Sequence, residues 1–132
     1  MILLDDELLN ELTAQASVNQ RLRINYNLHD SLEAPVQRLL NAMEPGTVLP
    51  VHRHIDTAET YLILRGRLKV LMYSDSGVLT SVHELNPLQG VYGINVPAGQ
   101  WHTVEVLEKG TVIFEVKEGP YRPLSEEHIL TV

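Results

Sequence analysis

The run from Gly46 to Gly66 carries two histidines in alternate positions, His52 and His54, followed by the carboxylate of Glu59. Side chains two apart in a strand point the same way, so both imidazoles are expected on one side. A glycine at each end of the run permits tight turns between short strands. A downstream block, Pro97-Ala98-Gly99-Gln100-Trp101-His102, supplies a third histidine. This spacing favours short β-strands that gather imidazole and carboxylate groups at one point.

Three imidazoles and one carboxylate form a set of metal ligands. Iron, manganese, zinc and nickel accept nitrogen and oxygen ligands together, so one divalent transition metal is the predicted cofactor. An octahedral ion with four protein ligands keeps two positions open, as catalysis requires. The alternative is that the histidines are unrelated surface or core residues. The predicted metal ligands are His52, His54, Glu59 and His102.

Composition limits the class of protein. The chain has 132 residues, no cysteine and a formal net charge of -7. This length suits one domain over residues 1–132, with a barrel core over roughly residues 20–120. This net negative charge disfavours nucleic acid and anionic membranes as partners. The N-terminus lacks the pattern of a signal peptide and no stretch is long enough to span a membrane, so a soluble, cytoplasmic protein is expected.

Hydrophobic periodicity predicts an all-β chain with a short helix at its N-terminus. Apolar residues at helical spacing indicate a helix over Asp5 to Ser17. Ser125 to Leu130 is expected to form one final helical turn. Between them, short apolar runs separated by Gly, Pro and Asn turn signals are typical of a sandwich or barrel. The predicted strands include Arg21 to His29, Val36 to Met43, Glu59 to Leu64, Leu68 to Tyr73 and Thr103 to Leu107.

The pattern resembles the two motifs of the cupin superfamily. The first matches fully as Gly46-x5-His52-x-His54-x4-Glu59-x6-Gly66, and the second in part as Pro97-x-Gly99-x2-His102. Gly90 precedes the second motif at a spacing one residue longer than usual, and Val106 stands where the motif usually has Asn. The resemblance implies a single-domain cupin barrel, a double-stranded β-helix of jelly-roll type. By parity Val106 shares a face with His102 and Val104, so the pocket loses a polar group there.

Other segments resemble the WbuC-type cupin-fold metalloproteins of bacterial O-antigen and surface-polysaccharide clusters. The matching segments are Asn27-Leu28-His29-Asp30-Ser31, Val36-Gln37-Arg38-Leu39-Leu40, Ala42-Met43 and Glu115-Val116-Lys117-Glu118-Gly119-Pro120. This resemblance implies a bound divalent metal and a link to sugar or polysaccharide metabolism. It does not imply a particular reaction.

Two groups of residues are candidates for contact with a substrate. Tyr61 lies two residues after Glu59, so both side chains are expected on the same face of the strand. Tyr61 is the candidate catalytic residue, although it could equally be an aromatic that fills the barrel. The polar face of the Arg21 to His29 strand could bind an anionic or polyhydroxylated small molecule such as a sugar derivative, because the planar guanidinium of Arg binds two oxygens at once. The alternative for this face is an edge strand that meets water. Its members are Arg21, Arg23, Asn25, Asn27 and His29.

Three functions remain open from the sequence. The first is a metal-dependent cupin enzyme, an isomerase or dioxygenase that acts on a small, polar, sugar-derived substrate. The second is a non-catalytic sugar- or metal-binding regulatory module. The third is metal-free epimerase chemistry with His as base and Tyr as acid, which a full ligand set makes less attractive. Cupin barrels commonly pair through N-terminal strands, so a homodimer is expected.

Overall fold

The computed structural model describes residues 1–132 and consists of two antiparallel five-stranded sheets with one α-helix. The helix α1 is Asp6–Val18. The strands are β1 (Arg23–Asn27), β2 (Val36–Met43), β3 (Val51–His52), β4 (Glu59–Arg65), β5 (Leu68–Tyr73), β6 (Leu79–Leu85), β7 (Gly93–Val96), β8 (Trp101–Val106), β9 (Thr111–Glu118) and β10 (Ile129–Leu130). One sheet has the order β1-β2-β9-β4-β7 and the other β10-β3-β8-β5-β6. The predicted all-β, jelly-roll-like architecture with an N-terminal helix is confirmed.

The helix α1 covers the outer face of the first sheet. Asp5 caps its N-terminus by accepting a hydrogen bond from the backbone N–H of Leu8 at 3.0 Å. Its apolar stripe, Leu9, Leu12 and Ala16, packs on buried side chains of β2 and β9. None of the helices combines the length and apolar character that a bilayer-spanning segment requires.

The hydrophobic core lies between the two sheets. Along β5 the buried residues alternate with partly exposed ones, as expected for a strand with one face in the core. Ile63 of β4 and Val104 and Val106 of β8 belong to the same buried cluster. The predicted inward direction of Val106 is therefore correct. Towards one end of β3, β4 and β8 the inward residues change from apolar to His, Glu and Tyr.

The largest differences between the predicted segments and the structure lie at Arg21 to His29 and at the C-terminus. The strand predicted over Arg21 to His29 is limited to β1, because Arg21 lies in a turn and Leu22 has a positive φ of 59°. At the C-terminus, one 3-10 turn spans Glu126–His128 and the next two residues form β10, which pairs with β3. The tail is therefore tied to the strand that carries His52, a tertiary contact that local sequence does not indicate.

Candidate metal centre

His52 and His102 lie opposite each other on the neighbouring strands β3 and β8. Both side chains are buried, and their ring centroids are 4.4 Å apart. The structure begins β8 at Trp101, two residues earlier than the predicted strand, so that His102 lies within the strand. Cross-strand pairing therefore brings together two histidines that are far apart in the sequence.

Each of these imidazoles is fixed by a backbone carbonyl. The Nδ1 of His52 donates to the carbonyl of Pro50 at 2.9 Å, and the Nδ1 of His102 donates to that of Gln100 at 2.9 Å. A carbonyl only accepts, so Nδ1 carries the proton in both rings. Nε2 is then the ring nitrogen left for a ligand. Histidines that bind metals are commonly held in this way, because the second hydrogen bond fixes the tautomer and the ring orientation.

Glu59 provides a buried carboxylate at the start of β4. Its Oε2 accepts a hydrogen bond from the hydroxyl of Tyr61 and lies 3.3 Å from Nε2 of His102. Its Oε1 lies 2.5 Å from Nε2 of His54 and 3.8 Å from Nζ of Lys117. Burial alone would raise the pKa of Glu59, but the contacts with His102 and His54 hold that pKa well below its ordinary value. The group is therefore an anion at neutral pH.

Possible ligand atoms of His52, Glu59 and His102 all lie within 4.8 Å of one another. Two imidazoles held at Nδ1 and one carboxylate fit a divalent transition metal. His54, the fourth predicted ligand, lies outside this group of three. It reaches the cluster through Glu59, and its ring centroid is 5.4 Å from that of His52. The structure thus brings three predicted ligands together and puts the fourth in contact with one of them.

The buried His52 gives the metal-free protein a predicted pH dependence. Burial, followed by the neighbouring His102, lowers the pKa of His52 from 6.5 to about 4. The unfolded chain therefore binds a proton that the folded chain resists, so stability is complete above pH 6.5 and falls as the pH drops towards 4. We expect the free energy of unfolding to decrease by about 3 kcal/mol over this window.

Urea unfolding of chelator-treated protein at a series of pH values measures this dependence. His52→Gln is the control, since it removes the titrating group and should flatten the curve between pH 6.5 and 4. Glu59 affects stability at lower pH than His52. A carboxylate whose pKa is depressed in the folded protein loses its contribution to the free energy of unfolding as the pH falls below the ordinary pKa of Glu. An equal slope in the wild type and in His52→Gln would contradict the assignment to His52.

An open cleft of about 820 Å³ adjoins the cluster. Its inner wall includes His54 and Lys117, the two residues that contact Oε1 of Glu59. The other lining residues come from the loop 55–57 and from residues 118–120, 122–124 and 127–128. The cleft therefore reaches two residues that contact Glu59, although His52, Glu59 and His102 themselves do not line it.

Residues 4–85 match the family described as "Domain of unknown function (DUF6016)", which is more than half of the chain. The chain belongs to the DUF6016 family. No curated protein matches its sequence. The predicted WbuC-type relationship is finer than this match and stays a prediction.

Solved structures give this DUF6016 chain a cupin fold. It is similar to KdgF from Halomonas sp., with a TM-score of 0.61, 15% identity, and coverage of 80% of this chain and 84% of KdgF. CapF from Staphylococcus aureus has a TM-score of 0.65 and 16% identity over 80% of this chain, which spans only 28% of CapF. The cupin domain of Schizosaccharomyces pombe Cnp3 has a TM-score of 0.59 and 16% identity, with 77% and 64% coverage. The predicted cupin fold is thus confirmed.

The predicted substrate-binding residues of the DUF6016 chain do not form one surface. Arg21 lies in the turn before β1, and His29 lies beyond β1, where its buried Nδ1 contacts the backbone of Arg38. Arg23 donates to the carbonyl of Val48 at 3.0 Å. Asn25 and Asn27 are exposed on β1, which is an edge strand. Only Arg23, Asn25 and Asn27 therefore share a strand face.

Sequence reasoning missed three polar residues beside the cluster. Glu115 and Lys117 alternate with apolar residues along β9, opposite Tyr61 and Glu59 respectively. Asn41 of β2 donates to Glu115 at 3.0 Å. Burial, followed by the charge of Glu59, raises the pKa of Glu115. The alternation of side-chain direction along Thr111–Glu118 could have identified Glu115 and Lys117, because it puts both on the same face of the strand as buried Ile113.

Trp101 and Arg53 support the strand pair that carries the two histidines. The guanidinium carbon of Arg53 lies 4.3 Å from the centroid of the Trp101 ring, a cation–π contact. The indole Nε1 of Trp101 donates to Oδ1 of Asp75 at 2.9 Å. Trp101 is buried, and together these contacts fix the loop after His52 against the start of β8.

Proposed function

We propose that this DUF6016 protein is a metal-dependent cupin enzyme that acts on a small, polar, sugar-derived substrate. The observation that supports this most strongly is the buried cluster of His52, Glu59 and His102, whose two histidines are each held at Nδ1 by a backbone carbonyl. An open cleft is lined by His54 and Lys117, which both contact Glu59 of this cluster. A buried cluster of ligands that a small molecule can reach is what a catalytic metal site needs.

His52, Glu59 and His102 would hold the ion in this proposal, with His54 as the fourth ligand. Iron, manganese, zinc and nickel all suit this set of nitrogen and oxygen donors. When bound, such an ion supplies Lewis acidity, which polarises a substrate oxygen for isomerisation or, with iron, supports reaction with O2. The backbone carbonyls of Pro50 and Gln100 keep the imidazoles in the tautomer that this role requires.

Tyr61 is the proposed catalytic side chain. Burial, followed by the charges of Glu59 and Glu115, raises the pKa of its hydroxyl well above the ordinary value, so it keeps its proton at neutral pH. The hydroxyl donates to Glu59 and lies 3.1 Å from Nε2 of His102. Tyr61 therefore orients the carboxylate and holds a proton beside the cluster. Apolar side chains behind it, Ile63, Val104 and Val106, exclude water from the inner side.

The substrate class in this proposal comes from the resemblance to WbuC-type proteins and from the names of fold neighbours. CapF is described as a capsular polysaccharide assembling protein. Another neighbour, from Acidithiobacillus ferrooxidans, is described as a putative sugar phosphate isomerase and has 20% identity over 74% of this chain. On this basis we infer a role in surface-polysaccharide metabolism.

A non-catalytic sugar- or metal-binding regulatory module would use the same cluster and cleft, so turnover is the distinguishing property. We propose to incubate protein loaded separately with iron, manganese, zinc or nickel with neutral, acidic and phosphorylated sugars. Proton NMR would detect isomerisation and an oxygen electrode would detect oxygenation. His52→Ala is the control.

Turnover by the loaded wild type and its loss in His52→Ala would support the enzyme. Metal-dependent binding without turnover would support the regulatory module instead. A protein that neither turns over nor binds any member of the panel would contradict both.

We also propose that the protein acts as a cytoplasmic homodimer. The N-terminal β1 is an edge strand, and an unpaired edge offers backbone hydrogen-bonding groups to a second chain. Asn25 and Asn27 on this strand are exposed and would lie near such an interface. Sedimentation equilibrium measures the mass of the particle, and a monomer at all concentrations would contradict this part of the proposal.

A further inference from the structure

Lys117 is a largely buried cation next to the candidate metal centre. It lies opposite Glu59 in the β4–β9 pair, and its side chain is 16% exposed. Burying an ammonium group is costly unless other groups compensate for the lost water. Nζ is 3.8 Å from Oε1 of Glu59, which is close enough for attraction but too long for a good hydrogen bond.

The hydrogen bonds of the neighbouring carboxylates do not involve Lys117. Glu59 already contacts Tyr61, His54 and His102, and Glu115 accepts from Asn41. Lys117 lines the cleft, and an ammonium group has three N–H donors. The side chain therefore has donors available to a molecule that enters the cleft.

The charges of the cleft differ between its rim and its inner end. The acidic residues that line it, Asp56, Glu118 and Glu127, are exposed, and so is Arg122. Lys117 is the most buried of the charged Lys, Arg, Asp and Glu side chains on the cleft wall. Charge interactions are stronger where water is excluded, so the positive group at the inner end has more influence on a bound ligand than the exposed rim.

We propose that Lys117 binds an anionic oxygen of the substrate, from a carboxylate or a phosphate group, at the inner end of the cleft. This inference rests on the proposed function, because it assigns a binding residue to the same site. An ammonium group forms charge-assisted hydrogen bonds with either anion. The position of Nζ near Glu59 keeps such a group close to the cluster. Lys117 is thus a specificity-determining residue that favours acidic or phosphorylated sugars over neutral ones.

Cobalt-loaded protein provides a test that does not require the natural substrate. The visible spectrum of Co²⁺ changes when a ligand enters its coordination shell, so it reports both loading and binding. The probes are oxalate, inorganic phosphate and imidazole, a neutral metal ligand. The variants are Lys117→Met, the charge-conserving Lys117→Arg, and Arg122→Met as a matched loss of one cation from the rim.

We expect Lys117→Met to weaken binding of oxalate, phosphate or both by about 10-fold or more. Imidazole affinity should change by less than about 2-fold, since it depends on the metal and not on the ammonium charge. Lys117→Arg should retain most of the anion affinity, and Arg122→Met should behave as the wild type. A loss confined to oxalate would indicate a carboxylate substrate, and a loss confined to phosphate would indicate a phosphorylated one.

Unchanged affinity for both anions in Lys117→Met would overturn the inference. An equal loss of anion and imidazole binding would also overturn it, because the lysine would then only maintain the structure of the site. Failure of the wild type to take up cobalt is a separate outcome. It would contradict the proposed function itself, and the role of Lys117 would fail with it.

Discussion

Glu59→Gln is expected to weaken the affinity for a divalent metal by about 100-fold or more. The substitution keeps the size of the side chain but removes the one carboxylate of the cluster. A neutral amide oxygen does not offset the charge of a divalent ion, and His52 and His102 contribute no negative charge. Competition with a chromophoric chelator measures the dissociation constant of each metal for the wild type and the variant.

Glu115→Gln is the matched control for this substitution. Glu115 is also a carboxylate on an inward-facing strand position beside Tyr61, but it lies outside the cluster of ligand atoms. Its loss should change metal affinity by less than about 3-fold, since a charge that does not touch the ion has a weaker effect. Equal losses in the two variants would contradict the assignment of Glu59 as a direct ligand.

Gly66→Ala is expected to destabilise the fold by about 3–5 kcal/mol. Gly66 turns the chain between β4 and β5 with a φ of 85°, a conformation that residues with a Cβ rarely adopt. A Cβ added there would lie 2.6 Å from Cα of Thr111 and even nearer to its Oγ1. The backbone of Thr111 belongs to the buried strand β9 and has little room to move. The melting temperature should fall by roughly 10 °C or more.

Gly99→Ala separates the two causes of this loss of stability, which are the left-handed backbone conformation and the close contact with Thr111. Gly99 has a φ of 80°, close to that of Gly66, but a Cβ there would meet no atom within 4 Å. Only the conformational cost remains, so we expect a loss of about 1–2 kcal/mol. Chemical denaturation measures both variants. A loss at Gly66 no larger than that at Gly99 would show that the close approach to Thr111 is unimportant.

Much of the fold follows from local patterns in the sequence. The bounds of β2 and β5 agree with the predicted strands, because an apolar run in β2, alternating burial in β5 and nearby turn signals define them locally. The helix is shifted by one residue from its prediction, since Asp5 serves as its cap. By contrast, β10 depends on pairing with β3, and only two residues take part. Such a short strand leaves no periodic signal.

The three members of the metal cluster are predictable from the spacing of residues in the two motifs. His52 and Glu59 were identified from spacing, and His102 from its turn motif, and the structure brings all three together. The expectation that His54 points the same way as His52 assumed that both lie in one strand. In the structure β3 ends at His52 and the next residues form a loop. Polar neighbours such as Lys117 depend on which strand lies beside β4, a question of topology that the sequence alone did not answer.

The cluster of His52, Glu59 and His102 makes a direct prediction about metal content. Elemental analysis of protein purified without a chelator or a nickel column should find about one divalent transition metal per chain. The same analysis of His52→Ala should find the metal lost. Wild-type protein that contains no metal, and takes up none when iron, manganese, zinc or nickel is added, would contradict the assignment of a metal centre.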